Sequence, residues 1–508
     1  MKNHTTHKAI RNVLFSGVRL AVGMGATIFT SAIIARRLGP SNMGIYGYAM
    51  WLVGTLGIMA NVGLPAAITK YVSEFIGSGD AARAAQVGKR LMLTQLAVAG
   101  GVSGLTACFV LLKSPYRSII LLAAVMILAQ ALQQSLTAAL VGVQRFDQIA
   151  VIGVYVGLAQ IASVGVAALL HSGVMGMLWA TLVGLWVGVW LFYRAVERCL
   201  LRLPADSQIY SPSIEQPDLL RRITRFSFTI SYVLLLDSIV WQRSEVLFLK
   251  WYSTLAQIAF YTLAYSIASK LGEIATIITS TLLPLFSESY GRDNFGEIGQ
   301  IFVNALKYLQ MVMVPLCLLA AAMAGPLVRL VYGSSYLPSV LVLQVLLICQ
   351  AFTSIGSVGS SLLLGTERQG FIAKWGTLIA ILNVVLDLIL IPRYGAVGAA
   401  VANCTAQITG VFIGTFYVVH YIRVSIPWRA TAAVYSAAVI ALAPLAYLAN
   451  RTPTGIAILI GAVALGAVLY FGLLVIVGEL RKDDLNLLKT ALMTKVQAPK
   501  PLETADVI

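Results

Sequence analysis

Asn383 and Asp387 stand four residues apart in an apolar stretch, a spacing that puts both side chains on one face of a helix. Asp237 lies in the middle of another such stretch and Asn403 in a third. Two carboxylates, an amide and a backbone carbonyl are oxygen ligands suited to a hard cation such as Na+, and either aspartate could carry a proton, H+, instead. The alternative for the same residues is a structural polar network bridging three helices. A second set is cationic: Arg19, Arg37, Arg243 and Lys270 fall within or at the ends of apolar runs. A guanidinium forks onto phosphate oxygens, and an ammonium meets them as a point charge. Facing one cavity, these cations would hold an anionic headgroup. Each also has a plainer reading. Arg19 could snorkel to an interface, and Arg36 and Arg37 could anchor a helix end. Lys270 could be neutralised by Glu273 three residues on, and Arg243 has Glu245 close by.

These residues are conspicuous because of what surrounds them. Of 508 residues, 59% are apolar and 11% charged, where a soluble protein carries about 25% charged residues. Mean hydropathy is +0.85. Runs of the roughly 20 apolar residues that a bilayer core requires recur from end to end. Spans are expected near residues 12–35, 44–66, 91–112, 118–142, 149–170, 174–193, 226–249, 255–285, 301–324, 336–364, 370–391, 396–419, 430–449 and 454–478. Helices satisfy their own backbone hydrogen bonds in lipid, whereas a barrel would show short alternating strands. The expectation is an all-α polytopic membrane protein with about fourteen transmembrane helices and no folded extramembrane domain.

The chain also repeats itself. Gly142-Val-Gln-Arg145 followed by His171-Ser-Gly-Val-Met-Gly176 resembles Gly365-Thr-Glu-Arg368 followed by Arg393-Tyr-Gly-Ala-Val-Gly398, at an offset of about 222 residues. A weaker echo links Tyr46, Pro65 and Glu74 to Tyr261, Pro284 and Glu288. An offset of six helices preserves orientation, so the repeats are parallel and suggest transport from a site between two lobes. The expected organisation is a first lobe over 1–196, a polar inter-lobe loop over 197–225 containing Pro204, Pro212 and Pro217, and a second lobe over 226–420. Two further helices fill 421–480, and a polar tail 481–508. Shifting Asn383 and Asp387 back by the offset lands on Ile161 and Gly165. Polar residues there are therefore not a requirement of the repeat.

The net charge of +16 resides in short loops between apolar runs and not in a basic stripe interleaved with aromatics. It reads as the positive-inside rule, not as nucleic-acid binding. The bias places both termini and the 197–225 segment on the cytoplasmic side of a cell (inner or plasma) membrane. No cleavable signal peptide is expected. Cys108, Cys199, Cys317, Cys349 and Cys404 have no CxxC spacing, and His4, His7, His171 and His420 are dispersed. Neither set supports a metal centre. No cofactor is expected beyond a coupling Na+ or H+, and the lack of a phosphate-binding GxxxxGK[ST] loop argues against ATP-driven transport by this chain alone.

The segment Ile33-Ile-Ala-Arg-Arg-Leu-Gly-Pro-Ser-Asn-Met-Gly44 resembles the end of the first helix in polysaccharide flippases of the Wzx type, within the multidrug/oligosaccharidyl-lipid/polysaccharide exporter superfamily. Val331-Tyr-Gly-Ser-Ser-Tyr336 and Ile391-Pro-Arg-Tyr-Gly-Ala-Val-Gly-Ala-Ala400 resemble that family's second lobe. The resemblance implies a flippase moving a polyprenyl-(pyro)phosphate-linked oligosaccharide to the outer leaflet, with polysaccharide polymerase or glycosyltransferase partners. It also implies a coupling-cation site in the second lobe. Carried onto this sequence, that site is Asp237, Asn383, Asp387, the carbonyl of Ala399, and Asn403, the last standing where a hydroxyl residue is expected.

Two rivals share the fold: a lipid II flippase and a multidrug or organic-cation exporter. The exporter would favour carboxylates in the first-lobe cavity, where this chain has Arg19. A rival of another class is a membrane-embedded glycan polymerase or ligase. Such an enzyme would need catalytic groups on a large outer loop, and the longest loop expected here is cytoplasmic.

Overall fold

The computed structural model describes residues 2–108, 117–201, 217–238, 244–366, 368–423, 426–451 and 456–480. The described residues are helical with no strand, and nine of their helices are long and apolar enough to cross a membrane. The all-α polytopic expectation is borne out.

Two helices are far longer than one crossing. α1 (Lys2–Asn61) has 60 residues, about 90 Å of helix against a bilayer core of about 30 Å. It is broken at Gly39, whose φ of +71° is open to glycine and whose successor is Pro40. The break falls in the interval between the first two expected spans. α14 (Gln369–Ile422) is broken in the same way at Gly395, φ +55°, three residues after Pro392. There the side-chain oxygen of Gln257 accepts from the Ala396 N–H at 2.9 Å, satisfying a donor that the break frees.

After α1 come α2 (Leu64–Gly77), α3 (Ala81–Cys108), α4 (Arg117–Gly142), α5 (Phe146–Leu169) and α6 (Gly173–Val196). A π-turn, Glu197–Leu201, prolongs α6, and α7 (Pro217–Ser238) opens on a proline. Helix thus occupies both ends of the expected 197–225 loop. Proline suits a first helical position because its missing N–H has no partner to lose there. The expected 226–249 span falls on α7 and α8 (Ser244–Tyr252), and the 255–285 span is two helices, α9 (Leu255–Ser280) and α10 (Leu282–Gly291). α11 (Phe295–Ala322), α12 (Ala324–Val331), α13 (Ser339–Gly365), α14, α15 (Trp428–Arg451) and α16 (Ile456–Ile476) complete the order. α9 is not among the nine apolar helices; Lys270, Glu273 and a row of hydroxyls interrupt its surface.

The sequence repeat has a packing counterpart. Gly142 closes α4 and Gly365 closes α13, and each lies against a short helix. A Cβ on Gly142 would stand 3.0 Å from the Val72 side chain of α2, and one on Gly365 would stand 2.8 Å from Cβ of Phe286 in α10. One buried cluster joins α2 to α6 around Tyr71, and another joins α9 to α14 around Phe302. In lipid the hydrophobic effect does not distinguish a helix from its surroundings, so close packing and interhelical hydrogen bonds carry association. Tyr435 of α15 donates to the Ala351 carbonyl of α13 at 2.9 Å, and Tyr470 of α16 to the Met311 carbonyl of α11 at 3.1 Å. These contacts dock the last two helices on α11 and α13.

Candidate functional site: a buried carboxylate cluster beside a central cavity

α8 is short, and its second residue is a carboxylate in an apolar sequence, Ser244-Glu-Val-Leu-Phe-Leu249. Packing α8 against α14 drives that carboxylate inward, where Glu245, Asn383, Asp387 and Asn403 are all fully buried. The Asn403 amide donates to Glu245 Oε1 at 2.6 Å, and the Asn383 amide to the same oxygen at 3.3 Å. Asn383 also donates to Ser244 Oγ at 2.8 Å and, at 3.5 Å, to Asp387 Oδ2. Ser244 in turn donates to Asp387 Oδ2 at 2.8 Å. The two carboxylates therefore share the Asn383 amide.

Three oxygens of this cluster have no hydrogen-bond partner: Glu245 Oε2, Asp387 Oδ1 and Asn383 Oδ1. Buried polar atoms are normally paired, and oxygens left without a protein partner leave room for a water, an ion or a proton. Among the described residues no cation pairs with either carboxylate. Burying two negative charges together without compensation is costly. The donor set fits a small hard cation, or one proton or more.

The cluster adjoins a cavity of about 1050 Å3. Gln407, one helical turn beyond Asn403, lines the cavity and donates to Asn403 Oδ1 at 2.6 Å. Asn403 and Tyr261 line it as well. The walls come from α1, α9, α13 and α14, with aromatic faces from Tyr46, Trp51 and Trp375. Among the described lining residues none is Lys or Arg, and Glu273 is the one charged side chain.

Beyond the cavity, α1 is clamped to the segment that follows α12. Ser31 Oγ and Tyr332 OH are 3.0 Å apart, and Tyr336 donates to the Ala35 carbonyl at 2.8 Å. Arg36 donates to the carbonyls of Leu330 and Val331 at the C-terminal end of α12, the latter at 2.8 Å. A guanidinium is favoured there because those carbonyls have no intrahelical partner. Gly44 lets the second half of α1 pass close to α9, since a Cβ would collide with the Leu255 carbonyl.

Asn383 and Asp387, expected on one span, and Asn403, expected on the next, do come together, and buried Ala399 lies one turn before Asn403 on α14. The side chains of Asp237 and Arg19 lie outside the described residues, as does Arg243 entirely. The carboxylate that meets the two asparagines is Glu245, which sequence reasoning had set beside Arg243 as a neutralising partner. Its signal was available: it is an acidic residue followed by four apolar ones. Lys270 is 2.5 Å from Glu273 and does not line the cavity. Arg37 is exposed and lies 3.1 Å from His171 Nε2, at the turn between α5 and α6.

Taken together, a broken-helix membrane fold, a central cavity walled by helices from both repeats and a buried carboxylate cluster beside it define a polytopic membrane transporter. The chain belongs to the polysaccharide biosynthesis protein family, whose model matches residues 9–290, within the multidrug/oligosaccharidyl-lipid/polysaccharide exporter superfamily. A model described as lipid II flippase MurJ matches residues 253–457. The chain is 22% identical over 425 residues to the probable low-salt glycan biosynthesis flippase Agl15 of Haloferax volcanii, covering 82% of this chain and 83% of that protein. Among solved structures it resembles lipid II flippase MurJ in an inward closed conformation, with a TM-score of 0.66, 16% identity, and coverage of 91% of this chain and 98% of that one. It also resembles an inward-facing multidrug resistance MATE family transporter, with a TM-score of 0.59, 18% identity, and coverage of 80% and 98%. At such identities the structural likeness establishes the fold alone. These relatives are described as flippases and transporters.

Proposed function

We propose that the chain is a flippase carrying a lipid-linked oligosaccharide, on a polyprenyl phosphate or diphosphate, from the cytoplasmic to the outer leaflet of the cell membrane. The observation that carries this reading is the cavity of about 1050 Å3 in a chain of the polysaccharide biosynthesis family. Its volume stands at the upper end of the roughly 300–1,000 Å3 of small-molecule sites. Its mouth is assigned to the end carrying Thr279, Leu364 and Phe371, and its far end is closed by the clamp at Ser31, Ala35 and Arg36. With the N-terminus cytoplasmic, that is an inward-facing state. Rocking of the two lobes, 1–196 and 226–420, would open the other side.

Transport is coupled to Na+ or H+ at the cluster of Glu245, Asn383, Asp387 and Asn403, to which Asp237 and the Ala399 carbonyl are assigned as further ligands. The orphaned oxygens support this reading. A cluster left with two bare charges is unfavourable inside a bilayer, so lobe motion proceeds when a cation or protons neutralise it. Arg19 and Arg243 are assigned to the phosphate. Arg37 and Lys270, held by His171 and Glu273, are better suited to holding helices.

A lipid II substrate is the second reading, favoured by the match over residues 253–457. The test is reconstitution of the full chain in proteoliposomes with a fluorescent polyprenyl-diphosphate tetrasaccharide and, separately, lipid II. Lectin access to the tetrasaccharide should rise only in vesicles containing the protein. Movement of lipid II alone would replace the first reading by the second.

A further inference from the structure

The cavity wall made by α9 and α13 presents hydroxyls in one hydrogen-bonding polarity. Ser266 donates to the Leu263 carbonyl at 2.8 Å, Thr279 to Ala275 at 3.0 Å, Ser354 to Ala351 at 3.1 Å and Ser357 to Ser354 at 2.6 Å. Ser361 of α13 donates across to the Thr279 carbonyl of α9 at 3.1 Å. Each of these protons is committed to a backbone carbonyl, so the oxygens retain lone pairs for the cavity. These oxygens accept hydrogen bonds from the O–H and N–H groups of a sugar, and the donors beside them, the Thr353 hydroxyl and the Gln350 amide, are neutral, so the wall hydrogen-bonds a neutral sugar but brings no positive charge to a carboxylate or phosphate.

Three further observations show a wall that is polar and carries no net positive charge. No described lining residue is a lysine or arginine, and Glu273 is neutralised by Lys270 at 2.5 Å. The Thr353 hydroxyl is 4% exposed, lines the cavity and has no hydrogen-bond partner. Thr353 and Gln350 share one face of α13 with Ser354, Ser357 and Ser361, and the Trp51 and Trp375 rings supply apolar faces.

We propose that the α9–α13 wall is a subsite for the uncharged part of a glycan, and that the protein selects neutral oligosaccharides over those bearing uronic or other acidic sugars. This deepens the flippase reading and rests on it for the link to transport. An acidic sugar against this wall would give up the hydration of its charge without gaining a cation, whereas a neutral one exchanges water for neutral donors and acceptors.

The test uses the full chain in nanodiscs, with quenching of tryptophan emission as the readout. The probes are a neutral glucose tetrasaccharide, the same tetrasaccharide with two glucuronic acids, and tetraphenylphosphonium as an organic cation. The neutral sugar should bind at least about tenfold more tightly than the acidic one. Thr353→Val should weaken neutral binding about five- to tenfold, and Ser357→Arg, which adds a cation to the wall, should reverse the preference. Equal or tighter binding of the acidic sugar, binding of the phosphonium alone, or no sugar binding would each overturn the proposal. If the neutral preference holds but no lipid-linked sugar is flipped in proteoliposomes, the subsite stands and the transport reading falls.

Discussion

Asn403 donates to Glu245 across 2.6 Å, and the same Asn403 accepts from Gln407 across 2.6 Å. One asparagine thus joins a cavity-lining amide to a buried carboxylate, with both of its polar ends in use. The arrangement is asymmetric under the internal repeat, since the positions corresponding to Asn383 and Asp387 are Ile161 and Gly165. The polar machinery belongs to the second repeat.

Glu245→Gln keeps an oxygen to accept from Asn403 and Asn383 while removing the charge. The variant is expected to fold with a melting temperature close to that of the parent and to lose the cation dependence of transport. Glu245→Ala takes away the acceptor of the buried Asn403 amide, while Asn383 keeps Ser244 and Asp387, and should cost about 1–3 kcal/mol. Thermal unfolding in detergent and ion-dependent flipping separate the two effects. Retained ion dependence in Glu245→Gln would remove Glu245 from the coupling site.

Substrate and cation are expected to strengthen each other's binding, because linkage is reciprocal. Gln407→Leu interrupts the hydrogen-bonded connection from cavity to cluster. It should shrink the shift in apparent Na+ or H+ affinity caused by saturating lipid-linked sugar, by about fivefold or more for a coupling of 1 kcal/mol lost. Isothermal titration with and without substrate measures that shift. An unchanged shift would assign the coupling to another route.

Arg36 and Tyr336 hold the closed end of the cavity. Arg36→Ala and Tyr336→Phe each delete bonds that tie α1 to the segment around α12, and if these bonds are lost on opening the equilibrium should move toward opening on that side. In a background lacking the native cysteines, labelling of Ser31→Cys by an impermeant thiol reagent should accelerate about fivefold or more for each kcal/mol of clamp lost. No change in labelling would show that the clamp does not control that end.

The two packing glycines predict stability. Gly365→Ala would place a methyl group 2.8 Å from Phe286 Cβ, and Gly142→Ala one 3.0 Å from Val72. Overpacking of this kind costs about 1–3 kcal/mol, so both variants should unfold at lower temperature. Gly77→Ala, where a Cβ meets nothing within 4 Å, should be neutral and serves as the control.

Much of this was legible in the sequence, for identifiable reasons. Apolar runs set the helices because a bilayer imposes a minimum length, and the breaks at Gly39 and Gly395 fall in the intervals expected between spans, 36–43 and 392–395. Asn383, Asp387 and Asn403 were legible because amides and carboxylates are expensive in lipid. The partners of Glu245 among the described residues were not legible. Its proximity to Arg243 in sequence suggested a local pair, whereas its contacts with Asn383 and Asn403 cross 138 and 158 residues and depend on how α8 meets α14. The hydroxyl wall was overlooked for a related reason. Serines and threonines are unremarkable singly, and their common polarity appears only when α9 and α13 are placed side by side.

Gradient-driven movement of a lipid-linked glycan is tested by the direction of flipping under an imposed gradient. Proteoliposomes holding the full chain and a neutral polyprenyl-diphosphate tetrasaccharide would be given a Na+ or pH gradient of either sign, with lectin access recorded. Net flipping should reverse when the effective gradient is reversed, and Asp387→Asn should abolish the response while the protein stays folded. Flipping with the same rate and direction under every gradient, in parent and variant alike, would contradict coupled transport at the buried cluster.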